Sequence, residues 1–173
     1  MAGHLDLKRG IGARISQERT AMYNDGTDSY VQHTTIDSAA VSSGNYPVGR
    51  PTGTDSAYSM EAWLYLKVTK APDNYIRNVR FWGTGSNPAG IIMFVGTSAS
   101  TAYTPTSDRS TKAIYSATEY ASNTDYMIWS QKNLTAIGDK TSALIMQVHV
   151  TSAAAQGDLY SDDLTMHYAY DEA

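Results

Sequence analysis

The sequence predicts an all-β protein: a single β-sandwich of jelly-roll type, preceded by an extended N-terminal arm. Three observations predict it. Apolar residues recur with period 2 in several short stretches, no stretch carries the 3.6-residue period of an amphipathic helix, and the connections are rich in Ser, Thr, Gly, Asn and Asp. At 173 residues the chain suits one ordinary core, with residues 1–22 as the arm and 23–173 as the sandwich.

The clearest stretch is 60–69, MEAWLYLKVT. Met60, Ala62, Leu64, Leu66 and Val68 share one parity and are expected to face a core. Glu61, Trp63, Tyr65 and Lys67 share the other, where the rings would lie over a neighbour while the charged groups stay wet. Ala71-Pro-Asp-Asn74 then ends the strand, since proline has no amide to donate and Asp and Asn favour turns. Residues 75–82 form a second strand with Val79 and Phe81 on one face and Arg80 and Trp82 on the other. After a glycine-rich turn, 91–97 is continuously apolar and reads as a central strand covered on both faces. Residues 113–120 and 126–129 are short strand candidates. Residues 143–150, with Leu144, Met146, Val148 and Val150 inward, and 164–170, with Met166, Tyr168 and Tyr170 on one face, close the pattern. Earlier, 23–26 signals a tight turn, 29–36 a strand, and 42–54 a long loop.

Residues 1–22 differ from the rest. Leu5, Leu7, Ile11 and Ile15 are scattered among Lys8, Arg9, Arg14 and Arg19, and Gly10 and Gly12 interrupt any helix. The segment reads as an arm that docks on another subunit through these apolar anchors and positive charges; an ordinary first strand has the same composition. Leu5, Leu7, Lys8, Arg9, Ile11, Arg14 and Ile15 are the candidate partner-binding residues. Acidic residues gather instead near the end, at Asp158, Asp162, Asp163, Asp171 and Glu172. Opposite charge at the two ends suits either pairing between neighbouring copies, as in a homo-oligomer, or orientation of the arm on an acidic partner surface.

Composition argues against several functions. A net charge of -4 with 17% charged residues is poor for binding nucleic acid. The absence of cysteine removes disulfides, thiolate metal sites and cysteine nucleophiles. No apolar run is long enough to cross a bilayer as a helix, and residues 1–9 lack a secretion-signal pattern, so a soluble product made in the cytoplasm is expected. Gly83-Thr-Gly85 is no phosphate loop, because no Gly-Lys-Ser/Thr follows. No Gly-x-Ser-x-Gly elbow is present, and no catalytic residue, metal ligand or cofactor is assigned. His149 and His167 would stand opposite each other if the last two strands formed a hairpin, two ligands without a third. The Asp clusters at 25–28 and 158–163 match no complete calcium loop. Trp63, Tyr65 and Trp82 are the candidates for stacking a sugar, in competition with a plain sheet-covering role.

The segments Asn78-Val-Arg-Phe-Trp-Gly-Thr-Gly85, Ile92-Met-Phe-Val-Gly-Thr-Ser98, Met146-Gln-Val-His-Val150 and 164–172 resemble structural proteins of tailed-bacteriophage virions, in particular β-sandwich proteins that decorate, or cement, the capsid. The resemblance covers about the last two thirds of the chain and brings no active-site residues. It implies a non-enzymatic virion protein on the capsid surface, often trimeric, that stabilises the shell by binding the major capsid protein. A tail, head-fibre or baseplate component is the alternative within a virion, and a carbohydrate-binding module the alternative outside it.

Overall fold

In the computed structural model the described residues are 3–11, 17–20, 22–24, 29–31, 48, 50–54, 56–59, 61–85, 88–98, 115–116, 126–155 and 164–173. Of these, 8–11, 17–20, 22–24, 29–31, 56, 115–116 and 164 are described by their backbone. All regular structure among them is β: β1 (His4–Ile11), β2 (Gln17–Thr20), β3 (Met22–Asn24), β4 (Ser29–Val31), β5 (Ser56–Tyr58), β6 (Ala62–Lys70), β7 (Ile76–Gly85), β8 (Ile91–Ser98), β9 (Tyr115–Ser116), β10 (Met127–Ser130), β11 (Ala143–Thr151) and β12 (Leu164–Glu172).

The fold is a β-sandwich. Its larger sheet runs β2-β1-β6-β11-β8-β9, with β5 on the far end of β11, and its smaller sheet runs β10-β7-β12; β3 and β4 pair as a separate ribbon. The strands nest about the β8–β9 connection: β8 pairs with β9, β7 with β10 and β6 with β11, all antiparallel. It is as though one long hairpin had been wound up. Winding brings β11 beside β8 and β12 beside β7, which is jelly-roll threading.

Alternation decides what lies between the sheets. Leu64, Leu66 and Val68 of β6 and Leu144, Met146 and Val148 of β11 meet Val79 and Phe81 of β7 and Trp129 of β10 in one cluster. Each fully buried apolar side chain of this kind contributes about 1.5–3 kcal/mol. Trp129 also donates its indole N–H to the Ser142 carbonyl at 2.8 Å, so its polar edge is not left bare. Met166 and Tyr170 of β12 pack against the cluster from the edge.

The turn between β10 and β11 completes β6. β11 reaches only Ala62, Trp63 and Leu64, and beyond them the ladder passes to residues 138–141. Gly138 donates to Val68 O, Thr141 donates to Leu66 O, and Leu66 N donates back to Thr141 Oγ1 at 3.0 Å. Gly138, at φ 97°, supplies a backbone conformation that other residues resist. Asp139 accepts hydrogen bonds from Thr135 N at 2.7 Å and Ala136 N at 2.9 Å, and these amides hold its carboxyl below the usual range.

β1 is a full member of the larger sheet. It pairs with β6 from His4↔Lys70 to Gly10↔Trp63, and with β2 from Lys8↔Thr20 to Ile11↔Gln17. Leu5 is buried in the central cluster and Leu7 packs against it. Just before β1, Gly3 donates its N–H to Glu172 Oε1 at 2.6 Å, tying the start of β1 to the end of β12. The part of 1–22 that is described therefore forms β1 and β2 along the margin of the sheet, hydrogen-bonded to the sandwich rather than set apart from it.

Candidate functional site

The sandwich has two outer faces, and they differ. On the larger sheet, Trp63 and Tyr65 of β6 project away from the core, as their parity predicts, yet both are buried. Trp63 packs with Ala143, Ile145 and Phe94, and its indole N–H donates to Glu61 Oε2 at 3.0 Å. Glu61, expected to stay wet, has no exposed surface; Gln147 of β11 is as fully buried, and its amide donates to Ser59 O at 2.8 Å. Lys140 lies over the Tyr65 ring, 4.8 Å from its centroid. Further along β11, His149 stacks on Tyr58 with centroids 4.5 Å apart and faces Phe94 at 6.0 Å. Trp63 and Tyr65 are thus interior rings, closed to a sugar.

On the smaller sheet, the outer residues are partly or fully open to solvent. β7 is its central strand, and the pairings Trp82↔His167, Arg80↔Ala169 and Thr84↔Thr165 place these residues in rows across the face. Met127↔Phe81 and Ile128↔Arg80 fix β10 on the other side, with Ile128 exposed. The rings of Trp82 and His167 are parallel within 10° and 5.4 Å apart, near the strand spacing, so they stand side by side with facing planes. His167 Nε2 and Thr84 Oγ1 share a hydrogen bond of 2.8 Å.

A bulge builds the polar half of this face. Ile76 and Val79 are both buried, so alternation slips between them, and the β12 register slips opposite, between Ala169 and Asp171. Asn78 takes up the slip at φ 51°, a region that Asn enters more readily than most residues. Its side chain then reaches β12, and Asn78 Nδ2 donates to Asp171 Oδ2 at 2.8 Å. Arg80 donates to the other oxygen, Oδ1, also at 2.8 Å. The Asn78 amide, and after it the Arg80 guanidinium, hold the Asp171 carboxyl below its usual range, so it is ionised at neutral pH. The Arg80 guanidinium also lies over the Tyr126 ring, 5.5 Å from its centroid. Arg80 therefore joins an aromatic ring beside β10 to a carboxylate on β12 across the full width of the sheet.

Leu5 and Leu7 are spent on the chain's own core; Lys8, Arg9 and Ile11 lie on β1; Arg14 and Ile15 lie outside the described residues. His149 and His167 are in different sheets and cannot share a metal as a hairpin pair, because β11 and β12 are consecutive strands of a jelly roll and cross between sheets. His4 is exposed and bonded to Thr69 Oγ1 at 2.9 Å, while His33 and the Asp clusters at 25–28 and 158–163 lie outside the described residues. Among the described residues no three His, Asp or Glu side chains gather as a metal site, and no helix is long and apolar enough to cross a membrane. The sequence puts Arg80 beside Trp82 on the outer face and Asp171 in an acidic cluster but does not bring the two together, and it does not mark Asn78 or Tyr126 as site residues.

Compared with protein-family models, with curated proteins and with solved structures, the chain finds no match in any of the three.

Proposed function

We propose that the chain is a non-enzymatic structural protein of a tailed-phage virion, which decorates the shell and stabilises it by binding major capsid protein subunits as a homo-oligomer. The observation that carries this reading is the jelly-roll threading of β6–β12 with β1 and β2 added along the outside of β6. Jelly rolls recur in capsid proteins, an argument by analogy of fold. The segments that resemble virion proteins fall on β7, β8, β11 and β12, the framework of the sandwich, as expected when the likeness is one of scaffold. The β1–β2 margin carries Lys8, Arg9 and Arg19 on an otherwise acidic chain, a suitable element to set against an acidic neighbour.

Cryo-electron microscopy of particles carrying the chain tests this. Density at regular positions over the shell, with β1–β2 against a capsid subunit, is the expected result. Density confined to the tail or to a unique vertex replaces it with a tail, head-fibre or baseplate role, and absence from particles overturns it. Deleting residues 1–20 is a poor test of docking, because it also removes Leu5 from the core and strips β6 of its neighbour. Lys8→Glu with Arg9→Glu reverses the charge and keeps the strand; weaker cosedimentation with shells is expected.

A further inference from the structure

We propose that the outer face of the smaller sheet is a saccharide-binding site, in which Trp82 and Tyr126 supply ring surface and Arg80, Asn78 and Asp171 take hydroxyl groups. The proposal is independent of where the chain acts, since this face lies on the opposite side of the molecule's core from the larger sheet that β1 and β2 extend.

The chemistry of the face selects the ligand. Arg80 is answered by Asp171 at 2.8 Å; Arg77, opposite Asp171 in the register, adds one further guanidinium, too short a run of positive charge to hold a polyanion such as nucleic acid. Among the described residues Asp171 is one carboxylate without the companions a metal would need. Among the described residues Ile128 is the one exposed large aliphatic side chain on this face, too little for a helix seeking an apolar groove. What remains is ring surface beside planar polar groups. A pyranose presents C–H patches suited to aromatic rings, and hydroxyls that both donate and accept.

The polar groups are already held in place. Asn78 donates to one Asp171 oxygen and Arg80 to the other, and a carboxylate oxygen has two lone-pair sites, so each can accept from a sugar hydroxyl as well. Arg80, braced between Asp171 and the Tyr126 ring, has further N–H groups to donate. Because these side chains are ordered by one another and rooted on strands rather than loops, little further rotamer entropy is lost on binding. His167 stacks on one plane of Trp82, so the indole is ordered before a sugar arrives.

The test is to apply the full chain to an array of plant, fungal and bacterial oligosaccharides, and to titrate the best-retained oligosaccharide calorimetrically. Retention of at least one class is expected. Asp171→Ala, which removes a charged acceptor, and Trp82→Ala should each weaken binding about tenfold or more, while Ile137→Ala, an exposed change elsewhere, should not. Should Trp82→Ala unfold the sheet, Asp171→Asn keeps the shape of the network and must still weaken binding. An array that retains nothing, or affinity unchanged in the folded Asp171 variants, overturns the proposal.

Discussion

Trp63 and Trp82 are both outward-facing tryptophans on central strands, one in each sheet, and they have opposite fates. Trp63 is buried with Ala143, Ile145 and Phe94 and gives its N–H to Glu61. Trp82 is half-buried beside a histidine, with charged and hydroxyl side chains around it. The difference shows that strand parity fixes which side of a sheet a residue takes but not whether that side is wet. The outer face of the larger sheet is interior at Glu61, Trp63, Tyr65, Ile145 and Gln147, whereas the smaller sheet keeps a surface.

Substitutions sharpen the contrast, and the largest effect belongs to the larger sheet. Trp63→Ala should cost about 3–5 kcal/mol in denaturant unfolding, as large-to-small changes in a core do, whereas Trp82→Ala should cost far less; equal costs would erase the distinction between the faces. Glu61→Ala should cost about 1–3 kcal/mol, because the buried indole N–H of Trp63 loses its acceptor. On the smaller sheet, Asn78→Val should cost a similar 1–3 kcal/mol by forcing a β-branched residue to φ 51°, while Asn78→Gly keeps the backbone and loses only the bond to Asp171. If Asn78→Gly is as damaging as Asn78→Val, the bulge is not the source of strain.

The smallest expected effect is that of pH. The carboxyls of Asp139 and Asp171 both sit below their ordinary range in the folded chain, so each contributes stability that is fully present above that range and is lost as pH falls through it, below about pH 4. Asp139→Asn should flatten that loss in an acid titration followed by circular dichroism. A titration curve unchanged by the substitution would show that the Thr135 and Ala136 amides contribute nothing through Asp139.

Much of the sandwich was legible in the sequence because alternation is a local signal. Leu64, Leu66 and Val68, Val79 and Phe81, and Leu144, Met146 and Val148 all face inward as their parity requires. Glu61 misled because a charged residue on the outer parity is expected to find water, and here it finds a tryptophan. His149 and His167 lie on consecutive strands, which a local pattern pairs as a hairpin and jelly-roll threading sends to different sheets. The Arg80–Asp171 pair joins residues 91 positions apart through a bulge, and nothing local announces either.

The nested pairing also sets the order in which the chain can become itself. The bonds that complete β6 come from far downstream, since Leu66 waits for Thr141, 75 positions later, and just before the strand the Ser59 carbonyl waits for Gln147, 88 positions later. On a ribosome, β6 leaves the tunnel with one edge unmet until residues 138–146 have been synthesised. Topologies dominated by such distant contacts fold in milliseconds to seconds rather than microseconds, and their half-made strands invite aggregation. Overproduction at lower temperature, or with a chaperone that shields unpaired strands, should therefore raise the yield of native protein more than any change to its surface.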